Sequence, residues 1–207
     1  MPTVSLQGLG FPMDKVGVVI LAGGLGTRMG GGKPERLFRG RRLIDPVLDR
    51  ASAWRLPTVL CVRKQAQLTE DTLGQLLDRP DIEGPLAGLL AALDWATGVG
   101  LEHILTLPCD TPFLPEDVLA RLLSASRTAG APAVAASNAR RHPTCAVWPR
   151  DSRSGVEAYA ATGRRSLSGA LDNCAAVDVF WPLSTLDPFV NINTPGDIDL
   201  LEISSAL

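Results

Sequence analysis

The chain has 207 residues, 45% hydrophobic and 20% charged, enough for one substantial core of ordinary globular composition. A net charge of −2 excludes a general nucleic-acid or membrane-surface binder. The cysteines Cys61, Cys109, Cys145 and Cys174 are far apart with no C-x-x-C pair, and only His103 and His142 accompany them, which excludes a disulfide framework and a structural zinc site.

Residues 1–15, with Gly8, Gly10 and Pro12, read as a loosely held leader, without the charged start and long apolar core of a signal peptide. Residues 16–207 then read as a single domain. The expected location is cytoplasmic, since no apolar run reaches membrane-spanning length. Short apolar runs predict strands over 16–22, 57–62, 103–108, 132–137, 143–148 and 176–181. Helical spacing predicts helices over 44–54, 64–77, 84–98, 115–128, 150–162, 165–172 and 195–204. Strand and helix alternate, so the expected fold is a three-layer α/β/α domain with a mainly parallel sheet.

The first strand, Val18-Val19-Ile20-Leu21, stops abruptly in Ala22-Gly23-Gly24, followed by Arg28, the cluster Gly30-Gly31-Gly32 and Lys33. Glycines there let bare backbone N–H groups approach a ligand, and the two cations make that ligand anionic, most naturally a phosphate chain. Spacing rules out two familiar phosphate loops. A Walker loop would need glycine where Thr27 stands and Ser or Thr where Pro34 stands; a dinucleotide fingerprint would need glycine at Met29. Lys33 is expected to serve the ligand rather than the fold, with Pro34 biasing it towards an extended conformation. Residues 28–42 hold Arg28, Lys33, Arg36, Arg39, Arg41 and Arg42 against the single acid Glu35. That excess suits a polyphosphate, although Arg39, Arg41 and Arg42 also read as a solvated loop.

Further along, Gly84-Pro85-Leu86-Ala87-Gly88 opens a helix whose N–H groups and dipole suit a phosphate or base. Pro108-Cys109-Asp110-Thr111-Pro112 ends a buried strand in a lone carboxylate. In an open α/β sheet it shares a crevice with the loop after Leu21 and suits a hard cation such as Mg2+; bracing the following turn is the other reading. His142-Pro143 reads equally as structural or ligand-binding. In Asn191-Ile192-Asn193-Thr194-Pro195, the last two residues are a helix entry, and the asparagines alternate on an extended segment, amides pointing to opposite sides.

These five motifs in this order, across residues 17–200, resemble the molybdenum cofactor guanylyltransferase family. The resemblance implies a Rossmann-like nucleotidyltransferase fold and transfer of GMP from GTP to a phosphate-bearing acceptor, molybdenum-molybdopterin, with Mg2+ and release of pyrophosphate. It implies Arg28, Lys33 and Asp110 as catalytic residues. Leu21, Ala22, Gly23, Gly24, Lys33, Gly84, Pro85, Leu86 and Asp110 would hold the nucleotide, with an acid upstream of Gly84, Asp78 or Asp81, and Asp78 favoured. His142, Pro143 and Asn191 fall on the acceptor side, and Asn193 becomes a second metal ligand beside Asp110. Molybdoenzymes or cofactor-delivery proteins are the further partners expected of a monomer. Three positions depart from the family pattern: Gly32 replaces an acid, Glu35 an apolar residue, and Cys61 stands where an asparagine is usual. A cytidylyltransferase or other small-molecule nucleotidyltransferase of the same fold, and a non-catalytic nucleotide-binding protein, are the alternative readings.

Overall fold

A computed structural model describes residues 15–24, 26–65, 68, 73–138, 140–182 and 186–203, except for the side chains of Arg28, Glu202 and Ile203. The proposed leader therefore lies outside the described residues apart from Lys15. At the centre, β1 (Val16–Leu21) pairs in parallel with β4 (Thr58–Val62) on one side and β6 (His103–Pro108) on the other. β5 (Gly74–Leu77) extends the sheet in parallel beyond β4. On the other flank β8 (Arg140–Pro149) runs antiparallel to both β6 and β7 (Ala133–Ser137), and β9 (Val177–Trp181) returns parallel to β7. The strand order is β5-β4-β1-β6-β8-β7-β9.

Alternation along β1 divides the core. Val18 and Ile20 face one layer, where α1 (Asp45–Trp54) and α3 (Val118–Ala129) contribute Val47, Trp54, Leu119 and Leu122. Val19 faces the other, built on α2 (Pro85–Gly98), α4 (Arg153–Ala161) and α5 (Leu167–Asn173). The expected three-layer arrangement is therefore the observed one. A small third cluster, Met29, Phe38, Leu43, Ile192 and Leu201, ties the hairpin β2 (Leu37–Phe38) and β3 (Arg41–Arg42) to α6 (Pro195–Ile203).

Two elements differ from expectation. The helix expected over 64–77 is not formed: residues 74–77 are β5, in register with Val59–Val62, while residues 66, 67 and 69–72 lie outside the described residues. The spacing of Leu68, Leu73, Leu76 and Leu77 imitates a helix, but Gly74 weakens one, and pairing with β4 supplies hydrogen bonds that local periodicity does not reveal. The helix expected from 115 begins at Val118, with Asp117 drawn off to accept from Trp181 Nε1 at 2.9 Å. The β2–β3 hairpin was not foreseen. Its arginines are engaged with the fold: Arg42 donates to Asp45 and Arg41 to Asp49, both on α1.

Gly17, on β1, lies against α2 so closely that an added Cβ would stand 2.6 Å from Leu101 Cδ1 and 2.7 Å from the Trp95 ring. Gly17→Ala should therefore cost about 1–3 kcal/mol by overpacking, read from denaturant unfolding. Unchanged stability would show that α2 is not packed onto the central strand in this way.

Candidate active site

The carboxyl ends of β1, β4 and β6 open into a crevice of about 400 Å³, a size suited to a small-molecule ligand. Its floor comes from the loop after β1. Gly26 turns the chain through the left-handed region (φ 57°), and its bare Cα lets Lys33 close over it: a Cβ there would stand 2.7 Å from Lys33 Cβ. Lys33 is not extended, as Pro34 suggested, but opens a short 3-10 turn, Lys33–Glu35, held by Glu35 N donating to Gly32 O at 3.0 Å and Arg36 N to Lys33 O at 3.2 Å.

This turn aims the Lys33 ammonium at the end of β6. It donates to Asp110 Oδ2 and, at 2.7 Å, to Asn193 Oδ1. Asn191 Nδ2 donates to the other Asp110 oxygen at 2.8 Å, and Ile192 N to the Asp110 carbonyl at 3.0 Å. The side chains of Lys33 and Asp110 are 14% and 9% exposed, so Lys33 is no free loop cation: it already has a partner that joins three distant segments. The asparagines also depart from expectation. Residues 191–193 are irregular rather than strand, with Ile192 buried in the third cluster, and both amides turn to the same lysine–aspartate pair. Below them Asp197 accepts from the Asn193 and Thr194 amides at 2.7 and 2.9 Å. Burial works to raise its pKa, but those hydrogen bonds hold it below the ordinary aspartate value. Cys109, beside Asp110, is held as a thiol: burial first and then the Asp110 charge push its pKa up to about 12.

On the far wall stand Asp78, Cys61, Arg63, Gly84, Pro85 and Gly88. The two candidate acids separate cleanly. Asp78 faces the crevice beside Gly23, where an added Cβ would stand 3.0 Å from its Oδ2. Asp81 is turned to the surface, paired with Arg79 at 2.6 Å. Burial raises the Asp78 pKa, opposed by the hydrogen bond from Cys61 and the charge of Arg63.

Leu21, Gly23, Gly24, Lys33, Asp78, Gly84, Pro85, Asp110 and Asn191 all line this one crevice, and Asn193 reaches it through Lys33. Ala22 and Leu86 are buried behind it, Ala22 N donating to Cys61 O at 2.9 Å. Arg28 lies in the turn Thr27–Met29, and its side chain is outside the described part. His142 and Pro143 are not among the lining residues. His142 packs on Phe189, and its Nε2 sits 2.6 Å from Ser137 Oγ, which donates to Asp187 Oδ2 at 2.8 Å. Since that hydroxyl proton goes to Asp187, His142 Nε2 carries the hydrogen it shares with Ser137. Thr144, two residues on, lines the crevice instead. Gly88, the end of the expected Gly84–Gly88 segment, also lines the wall, and Arg63 and Thr144 join it unforeseen. Only Arg63, a cation at a strand end, carried a sequence signal for this.

Comparison with known proteins identifies the family of the chain. The molybdenum cofactor guanylyltransferase of Rhodopseudomonas palustris (strain HaA2) is 40% identical over 200 residues, covering 87% of this chain and 87% of that protein. That of Rhizobium leguminosarum bv. trifolii (strain WSM2304) is 35% identical over 193 residues, covering 89% and 90%. The crystal structure of molybdopterin-guanine dinucleotide biosynthesis protein A from Archaeoglobus fulgidus superposes with a TM-score of 0.73 at 26% identity, over 92% of this chain and 100% of that one. The MobA-like NTP transferase domain matches residues 18–175, a span that runs from the glycine loop through Lys33, Asp78 and Asp110. The chain therefore belongs to the MobA-like NTP transferase family.

Proposed function

We propose that this protein transfers GMP from GTP to the terminal phosphate of a molybdopterin-type acceptor, molybdenum-molybdopterin, and releases pyrophosphate. The observation that carries the reading is the convergence of Lys33, Asp110, Asn191 and Asn193 beside a glycine loop at the mouth of a parallel sheet. The choice of guanine and of acceptor is supported by the relatives named guanylyltransferase.

In the reaction an acceptor phosphate oxygen attacks the α-phosphorus in line, and the bond to the bridging oxygen of the β-phosphate breaks. That attacking oxygen is already anionic near pH 7, with a second phosphate pKa of about 6, so no general base is needed. The burial of His142 in the Ser137–Asp187 cluster, away from the crevice wall, is in keeping with this. Positioning and charge neutralisation remain as the protein's task. The glycine loop receives the nucleotide with the Ala22 and Gly23 backbone near the base, and Asp78 Oδ2, beside Gly23, accepts from the N–H edge of guanine. Lys33 exchanges Asp110 for the triphosphate, whose charge draws the ammonium across.

Asp110 and Asn193 are hard oxygen donors that fit Mg2+. Among the described residues no group of three His, Cys, Asp or Glu side chains could hold a metal, so phosphate oxygens and water would supply the remaining ligands. Bound there, Mg2+ would neutralise charge at the reacting phosphate and the leaving pyrophosphate. Molybdoenzymes or cofactor-delivery proteins would receive the product from a monomeric enzyme. Among the described residues no helix is long and apolar enough to cross a membrane.

Base preference is read from thermal shifts with GTP, CTP, ATP and UTP, each with Mg2+. GTP should give the largest rise; an equal or larger rise with CTP would favour cytidylyl transfer instead. Asp110→Asn nearly keeps the shape and removes the charge. Its turnover in a pyrophosphate-release assay should fall at least ~100-fold, the scale of losing one preorganised electrostatic contact. Undiminished turnover would remove Asp110 from the mechanism.

A further inference from the structure

Cys61 replaces an expected asparagine, and its surroundings give it a specific task. The residue lies near the end of β4 at 1% exposure and lines the crevice. Two acceptors surround it, Asp78 Oδ1 and the Gly88 carbonyl on α2, each at 3.4 Å. A thiol has one hydrogen to give. Burial, then the Asp78 charge, push the Cys61 pKa far above the ordinary thiol value, so that hydrogen stays on sulfur. Helix α2 is pressed against the pair: a Cβ on Gly88 would stand 3.1 Å from Asp78 Oδ1 and 3.2 Å from Cys61 Sγ. The carboxyl is thus bounded by the thiol and by the backbone of α2, and its main chain is anchored by the Asp78 amide donating to Val62 O at 3.0 Å. Among the described residues that leaves Oδ2, beside Gly23, to meet a ligand.

We infer that Cys61 is a positioning residue for base recognition: its S–H engages Asp78 Oδ1, holding the carboxylate so that Oδ2 faces the nucleotide. This rests on the reading that Asp78 contacts guanine. Among the described residues the groups acting on the Asp78 carboxyl are Cys61 on β4 and Arg63 just beyond it, while α2 and the glycine loop present backbone at Gly88 and Gly23. Donation from Cys61 favours the ionised form against the upward pull of burial. Without the thiol, Asp78 takes up its proton at higher pH, and guanine binding should fail earlier as pH drops.

The test measures GTP affinity by calorimetry between pH 5 and 8 for the full chain and for Cys61→Ala, Cys61→Ser and Asp78→Asn. Titration of the nucleotide's own phosphates is common to all four proteins and cancels in the comparison. Cys61→Ala should bind about threefold to tenfold more weakly at pH 7, the scale of one hydrogen bond, and lose affinity from a higher pH than the parent. Cys61→Ser, which keeps a donor, should restore the parental pH profile even if its stability is lower. Cys61→Ala binding like the parent, or weakened equally at every pH, would reduce Cys61 to packing while leaving Asp78 in place. Parental affinity in Asp78→Asn would remove both the base contact and the inference built on it.

Discussion

A lysine and an aspartate share the carboxyl edge of the sheet, each the other's counter-charge until a ligand arrives. Asp110 follows β6 by two residues with its side chain nearly enclosed, and Lys33 reaches it from a loop 77 residues earlier. A charge withdrawn from water needs a partner and filled hydrogen-bonding positions. Asn191 and Asn193 fill them, and the Ile192 amide secures the Asp110 backbone. One charge pair thereby draws together the glycine loop, the central parallel strands and the entry to α6.

Topology explains why the pair sits there. From β1 the chain passes through α1 on one face to β4; from β5 it passes through α2 on the other face to β6, across β1. The strand order therefore reverses at β1, and the loops leaving β1 and β6 diverge around a crevice. Helix α2 enters that crevice at Gly84-Pro85 and carries Gly88 against Cys61 and Asp78. One wall is thus organised by an ion pair and the other by a half-buried carboxyl braced by a thiol. Anionic phosphates suit the first wall, and a base with N–H donors suits the second.

The parts legible in the sequence were those that local chemistry determines. The glycine loop, Lys33, Asp110 and Gly84-Pro85 announce themselves because strand ends, bare amides and lone charges have few other uses. What escaped depends on distant partners. β5 looks helical until β4 is beside it. The two asparagines share a side only because Ile192 turns inward to meet Met29 and Phe38. Thr144 reaches the crevice while His142 does not: pairing between β7 and β8 shifts register between Val134 and Ala136, so simple alternation no longer predicts which side chains share a face. The choice between Asp78 and Asp81 likewise turned on Arg79, which engages Asp81 and Glu157 at the surface.

The central claim is that Lys33 guards Asp110 until nucleotide arrives, and the most direct measurement is Mn2+ binding to the nucleotide-free protein, followed by the loss of the free-ion paramagnetic resonance signal. With Lys33 in place the cation should bind weakly. Lys33→Met keeps the length of the stem without the ammonium and should bind Mn2+ at least about tenfold more tightly, equivalent to ~1.4 kcal/mol of removed competition. Equal affinity in the two proteins would contradict the claim, since Asp110 would then be open to a cation whether or not the lysine is charged beside it.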